Sequence, residues 1–125
     1  MTTEDNKHYT EQARAFLEQA FEELSRDDLR QASEKGWGAA AQMVKAYAEE
    51  RGLRHDRHHL LYRAVHRLID ETDDNQLFAW FSVANHLHAN FYEGAYESRE
   101  VRYGLDQVAQ FVDRVDTFLN GRNGS

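Results

Sequence analysis

The chain reads as all-α, a single domain folded as an antiparallel bundle of about five helices. Three observations predict this. There is no proline and there are only 7 glycines in 125 residues, so few positions interrupt a helix. Ala, Glu, Leu, Arg and Gln, all strong helix formers, are abundant. Apolar residues recur at steps of three and four through most of the sequence, which gives each segment one buried face.

The first helix is expected over Tyr9–Leu24. Tyr9, Ala13, Phe16, Leu17, Ala20, Phe21 and Leu24 form its apolar face, and Glu11, Gln12, Arg14, Glu18, Gln19, Glu22 and Glu23 take the other side. Ser25-Arg26-Asp27-Asp28 breaks the pattern, with Asp27 the expected N-cap of a second helix over Asp28–Glu50 that stops at Gly52. Leu29, Ala32, Trp37, Ala39, Ala40, Met43, Val44 and Tyr47 are its apolar residues. Gly36 and Gly38 each cost about 1 kcal/mol relative to alanine inside a helix, and with Ala32, Ala39 and Ala40 they make a surface that another helix can approach closely. A third helix over Asp56–Asp70 buries Leu60, Leu61, Ala64, Val65, Leu68 and Ile69. Asp73 or Asp74 should cap a fourth over Asn75–Tyr92. Its Leu77, Phe78, Trp80, Phe81, Val83, Ala84, Leu87, Phe91 and Tyr92 cover most of the circumference. A helix of that kind belongs at the bundle centre or under a partner. The fifth, over Glu100–Leu119, turns Val101, Leu105, Val108, Ala109, Val112, Val115 and Leu119 inward. The domain is thus expected over residues 8–120, with flexible ends at 1–7 and 121–125.

Composition narrows the function. With 22 acidic against 15 basic residues and a formal net charge of -7, a broad electrostatic footprint for nucleic acid is absent and no DNA partner is expected. A local basic groove remains compatible with that sum. The lack of cysteine removes disulfides and thiolate metal sites. There is no apolar leader and no stretch long enough to span a bilayer, so a cytoplasmic location without membrane contact is expected.

The most informative stretch is Asn85 to Glu93, where an apolar helix ends in polar side chains that are costly to bury unpaired. Asn85 and His88 share a face, as do His88 and Tyr92, whereas His86 points elsewhere. With Asn90 these residues would form a polar pocket at the bundle end. The plainer reading is that His88 and Asn90 satisfy carbonyls where the helix stops. His55, His58 and His59 stand at spacings that share a helical face and could hold a divalent ion. An exposed, arginine-flanked first turn is the favoured reading, so no metal and no cofactor are expected. Arg51, Arg54, Arg57, Arg63 and Arg67 form the densest basic region, either a phosphate-binding strip or a solvated helix face. Trp37 and Trp80 are expected in the core.

Two segments, Ala32-Ser33-Glu34-Lys35-Gly36-Trp37-Gly38-Ala39-Ala40-Ala41 with Val44-Lys45-Ala46, and Leu87-His88-Ala89-Asn90-Phe91-Tyr92-Glu93, resemble the HEPN superfamily, in particular its archaeal-repeat branch of PaREP-type proteins. The resemblance spans roughly Ala13 to Leu119. It implies a HEPN-like bundle, a homodimer, and binding of nucleotide or RNA or service as a non-catalytic accessory to a nucleotide-handling, nucleotidyltransferase-like or other protein partner. Nucleolytic members carry an arginine followed four to six residues later by a histidine. His88 matches the histidine, but the arginine positions are Phe81, Ser82 and Val83. The resemblance therefore implies binding rather than cleavage, through Asn85, His88, Asn90 and Tyr92, with Arg51 and Arg54 as distant contributors. Arg51 to His58 and Arg54 to His59 fit the literal spacing but lie between the second and third helices. Two other readings stand beside this one. The first is a metal-independent endoribonuclease with His88 as acid or base and an arginine supplied by another helix or subunit. The second is a helical protein-interaction module.

Overall fold

The computed structural model describes the backbone of residues 3–124 and the side chains of residues 6–121. Among these residues there are five helices and no strand: α1 (Thr3–Ser25), α2 (Leu29–Arg51), α3 (His58–Thr72), α4 (Gln76–Glu93) and α5 (Ser98–Gly124). They pack as one all-α domain around a single core.

The centre is α2, which packs against all four other helices. Its side chains explain this. Ala32, Gly36, Ala39, Ala40, Ala46 and Ala48 are buried around Trp37, Met43, Val44 and Tyr47, so small residues meet neighbours on every side. A Cβ at Gly36 would stand 2.5 Å from Leu105 of α5 and 3.2 Å from Leu87 of α4, whereas one at Gly38 would stand 3.0 Å from the Phe16 ring of α1. The paired glycines thus admit neighbours on two sides, where the sequence suggested one. Of the two places expected for α4, the bundle centre is not the one it takes within this chain. It packs on α2, α3 and α5 and leaves Phe78, Ala79, His86 and Ala89 exposed. Trp37 and Trp80 are buried, as expected.

Helix ends follow local chemistry. The α1–α2 turn puts Asp27 in the left-handed region at φ 61°, with the Asp27 N–H donating to the Leu24 carbonyl and the Asp28 N–H to that of Glu23. The N-cap is therefore Asp28, not Asp27, and its carboxylate accepts from the Gln31 N–H at 3.2 Å. Gly52 (φ 68°) and Gly94 (φ 63°) end α2 and α4 in the left-handed conformation that glycine adopts without a Cβ penalty. Asp73 ends α3 in the same way at φ 56°. Asp74 accepts from the Gln76 N–H at 3.1 Å, beside the start of α4.

Both termini are more helical than the periodicity suggested. Asn6 is buried and donates to Glu50 at 2.9 Å, which ties the start of α1 to the end of α2. The expectation of flexible ends falls partly on Met1, Thr2 and Ser125, which lie outside the described residues. Among the described residues, no helix is long and apolar enough to cross a membrane.

Candidate functional site

Three helices build the site. α4 carries His88 and Asn85 half a bundle-length from its start, α2 passes beneath with Glu34 and Trp37, and the first residue of α3 is His58. His88 Nδ1 lies 2.9 Å from Glu34 Oε1. With the carboxylate as acceptor, Nδ1 carries a proton, and in the neutral imidazole Nε2 then holds the lone pair. His58 Nε2 lies 3.0 Å from Asn85 Oδ1, so the amide fixes the second imidazole in the same manner. The rings form a layered group. Trp37 stacks on His58 at 4.9 Å and faces His88 at 5.1 Å, and the two imidazoles are 5.8 Å apart with an interplanar angle of 28°. Tyr92 stands edge-on to His88 at 5.5 Å and is 68% exposed, so the group opens to solvent there.

A cation stands beside it. Arg30 is one helical turn before Glu34 on α2, and its guanidinium donates to the Tyr92 carbonyl at 3.5 Å. On the other flank of Trp37, a groove of about 330 Å³ includes Gln31, Lys35, Gln42 and Lys45. The assembled surface therefore offers stacked rings, one imidazole nitrogen with a free lone pair, and cations on both sides. It can stack planar groups and exchange a proton at His88 Nε2.

The expected residues separate into two sets. Asn85, His88 and Tyr92 come together as anticipated. Asn90 does not join them. It is 2% exposed, donates to Ser33 Oγ at 2.9 Å and accepts from the Tyr96 N–H at 2.8 Å. It holds the α4–α5 connection onto α2 through a hydroxyl and a backbone N–H, a structural role that differs from the expected capping of carbonyls. Arg51 is committed elsewhere. Its guanidinium grips Glu71 bidentately, with Nε at 2.8 Å from Oε1, and donates to Glu50 at 2.9 Å. The hydrogen bond to Glu71 raises it above the usual arginine range. Tyr47 donates to the same Glu71 at 2.6 Å, and burial together with this bond pushes its hydroxyl well above the ordinary tyrosine range. Arg54 is exposed and meets Asp56 at 3.2 Å.

The histidine triplet does not share a face. α3 begins at His58 because Arg57 is extended (φ -137°, ψ 152°), so His55 stays in the connection and pairs with Glu49 at 2.8 Å. His58 turns to Asn85 and His59 is exposed. No group of three or more His, Cys, Asp or Glu side chains among the described residues is placed to hold a metal ion.

Glu34, Trp37 and Arg30 were not expected as site residues, and His58 was expected only beside His55 and His59 as a candidate metal ligand. Glu34 and Trp37 belonged to the quoted second-helix segment, which is the signal that pointed nearest to them.

Comparison with known proteins follows this geometry. The profile of the archaeal PaREP1/PaREP8 family matches residues 8–112. No curated protein matches significantly. The fold is similar to the crystal structure of a protein from Sulfolobus solfataricus, with a TM-score of 0.77 and 26% identity, covering 86% of this chain and 96% of that one.

Proposed function

This chain belongs to the archaeal PaREP1/PaREP8 family, and from that premise we propose that it is a HEPN-like, homodimeric domain that binds single-stranded RNA or nucleotide on the Trp37–His58–His88–Tyr92 surface. The observation that carries this reading is the layered ring group itself, with Trp37, His58 and His88 within 5.8 Å of one another and both imidazoles fixed by side chains. Splayed bases stack on surfaces of this kind, and pre-fixed ring edges supply hydrogen bonds without ordering cost.

The homodimer is supported by α4. Gln76 to Tyr92 contains no Asp, Glu, Lys or Arg, in a chain where 30% of residues are charged. That uncharged helix leaves Phe78, Ala79, His86 and Ala89 exposed beside a groove of about 390 Å³ shared with α5. A second copy covering this face would bury it.

One observation favours a catalytic reading as the second choice. Glu34 on His88 Nδ1 leaves Nε2 ready to take a proton, and Arg30 stands nearby on a different helix from the motif position. In that reading His88 is the acid or base and Arg30 supplies the phosphate-binding charge.

The test is fluorescence anisotropy with a labelled single-stranded oligoribonucleotide. Tyr92→Ala removes an exposed ring, and loss of one stacked base weakens binding roughly 5- to 150-fold. Absence of saturable binding by the unaltered protein would overturn the reading and favour a protein-interaction module. Incubation with the same strand separates the two versions, since cleavage that is lost in His88→Ala supports the catalytic one.

A further inference from the structure

We propose that the cavity between α3 and the α2–α3 connection is a phosphate-ester site, held by Arg63 and Arg67 with Arg54 at its mouth. The cavity measures about 420 Å³, within the range of small-ligand sites, and Leu53, Leu60 and Ala64 form its apolar part. No Asp or Glu lines it.

The charges are what single it out from a solvated helix face. Acidic residues outnumber basic ones by 22 to 15, and Arg14, Arg26, Arg51, Arg54 and Arg114 each hold a carboxylate. Arg63 and Arg67, like Arg30, Arg57, Arg99 and Arg102, form no ion pair among the described residues, and these two line one cavity together. They stand one helical turn apart on α3, where like charges repel. The carboxylate one turn past Arg67, Glu71, is gripped by Arg51 and Tyr47. The Arg54–Asp56 pair is exposed, with side chains 72% and 62% accessible, so Arg54 can exchange that partner at little cost. In a chain with surplus acid, two adjacent unneutralised guanidiniums over an apolar floor fit an anion that brings its own apolar or planar body.

Guanidinium forks match phosphate oxygens in a way that a point charge does not. The ligand class is accordingly a phosphate ester, with the phosphate on Arg63 and Arg67 and its organic part on Leu53, Leu60 and Ala64. A free nucleotide and the backbone of an RNA strand present this chemistry alike. The site stands independently of the ring surface, which draws on His58, Trp37 and His88 instead.

The experiment is calorimetric titration of the full chain with inorganic pyrophosphate, uridine diphosphate and a short oligouridylate. Saturable binding that weakens at least about tenfold in Arg63→Gln/Arg67→Gln and is unchanged in Arg102→Gln, an exposed arginine of α5 outside both sites, is expected. Arg63→Lys/Arg67→Lys keeps the charge but not the fork, and should bind pyrophosphate more weakly than the unaltered chain. Preference for the diphosphate assigns a free nucleotide, and preference for the oligomer assigns a strand. Binding of none of the three probes, or affinities equal in the Gln variant and the unaltered chain, overturns the proposal. Absence of binding by all three probes would overturn the ring-surface reading as well, whereas affinities equal in the Gln variant and the unaltered chain overturn this site alone and leave the ring surface to its own Tyr92→Ala comparison.

Discussion

Asn90→Ala tests which role the α4 terminus plays. The amide bridges Ser33 Oγ on α2 at 2.9 Å and the Tyr96 N–H at 2.8 Å, in a position 2% exposed to solvent. Each hydrogen bond contributes about 0.5–1.5 kcal/mol net, and a donor left without a partner costs about 1–3 kcal/mol. Tyr96 is only half-buried, so water recovers part of that second amount. The total loss is then about 2–4 kcal/mol, which for a domain of this size lowers Tm by roughly 8–16 °C. Urea unfolding followed by far-UV circular dichroism measures it. A cycle with Ser33→Ala should return a coupling of about 1 kcal/mol between the two side chains. A loss below about 1 kcal/mol, or no coupling, would refute the structural role and return Asn90 to the set of ligand-binding candidates.

Three further outcomes are expected. Gly52→Ala places a Cβ in open space but at φ 68°, so the cost is backbone strain alone, about 1–2 kcal/mol; a neutral result by urea unfolding would refute the left-handed cap. Tyr47 keeps its proton to higher pH folded than unfolded, where the reference value is 10.0. Its contribution is therefore fully present below about pH 10 and falls as pH rises toward the folded value, by up to about 1.4 kcal/mol per pH unit. Tyr47→Phe should flatten that alkaline decline only in part, because burial raises Tyr62 as well, and an unchanged slope would contradict the assignment. Ala79→Arg puts a charge on the uncharged face of α4, and native mass spectrometry should show dimer for the unaltered chain and monomer for the variant; a monomer in both would remove the dimer.

Periodicity located all five helices because each has a stripe of apolar residues, and stripes are local. It misplaced the N-cap of α2 because Asp27 and Asp28 are chemically equal as caps, and only the backbone of the turn decides between them. It offered α4 as a central helix, or one covered by a partner, because it weighed side-chain size. The centre went instead to α2, whose alanines and glycines permit close approach on several sides, a property of packing geometry rather than of hydrophobicity. The site was legible only along α4. Asn85, His88 and Tyr92 share one helix, whereas Glu34 and His58 reach them across 54 and 27 residues of chain. No local pattern encodes such pairings. His58 was noticed for the wrong neighbours, since its spacing from His55 and His59 counts only if the helix starts before all three.

The central position of α2 also has a meaning for biosynthesis. α2 precedes α3, α4 and α5 in the chain, so it leaves the ribosome before any of these three can cover it. A large apolar face waiting in that way invites aggregation. Here Ala32, Gly36, Ala39, Ala40, Ala46 and Ala48 dilute the bulky Trp37, Met43, Val44 and Tyr47 on the surface that waits. The bulky Phe81, Leu87, Leu105 and Phe111 arrive later, on helices that find α2 already formed. With small residues over much of the hub, the chain exposes less apolar surface at the half-made stage than a hub of uniformly bulky side chains would.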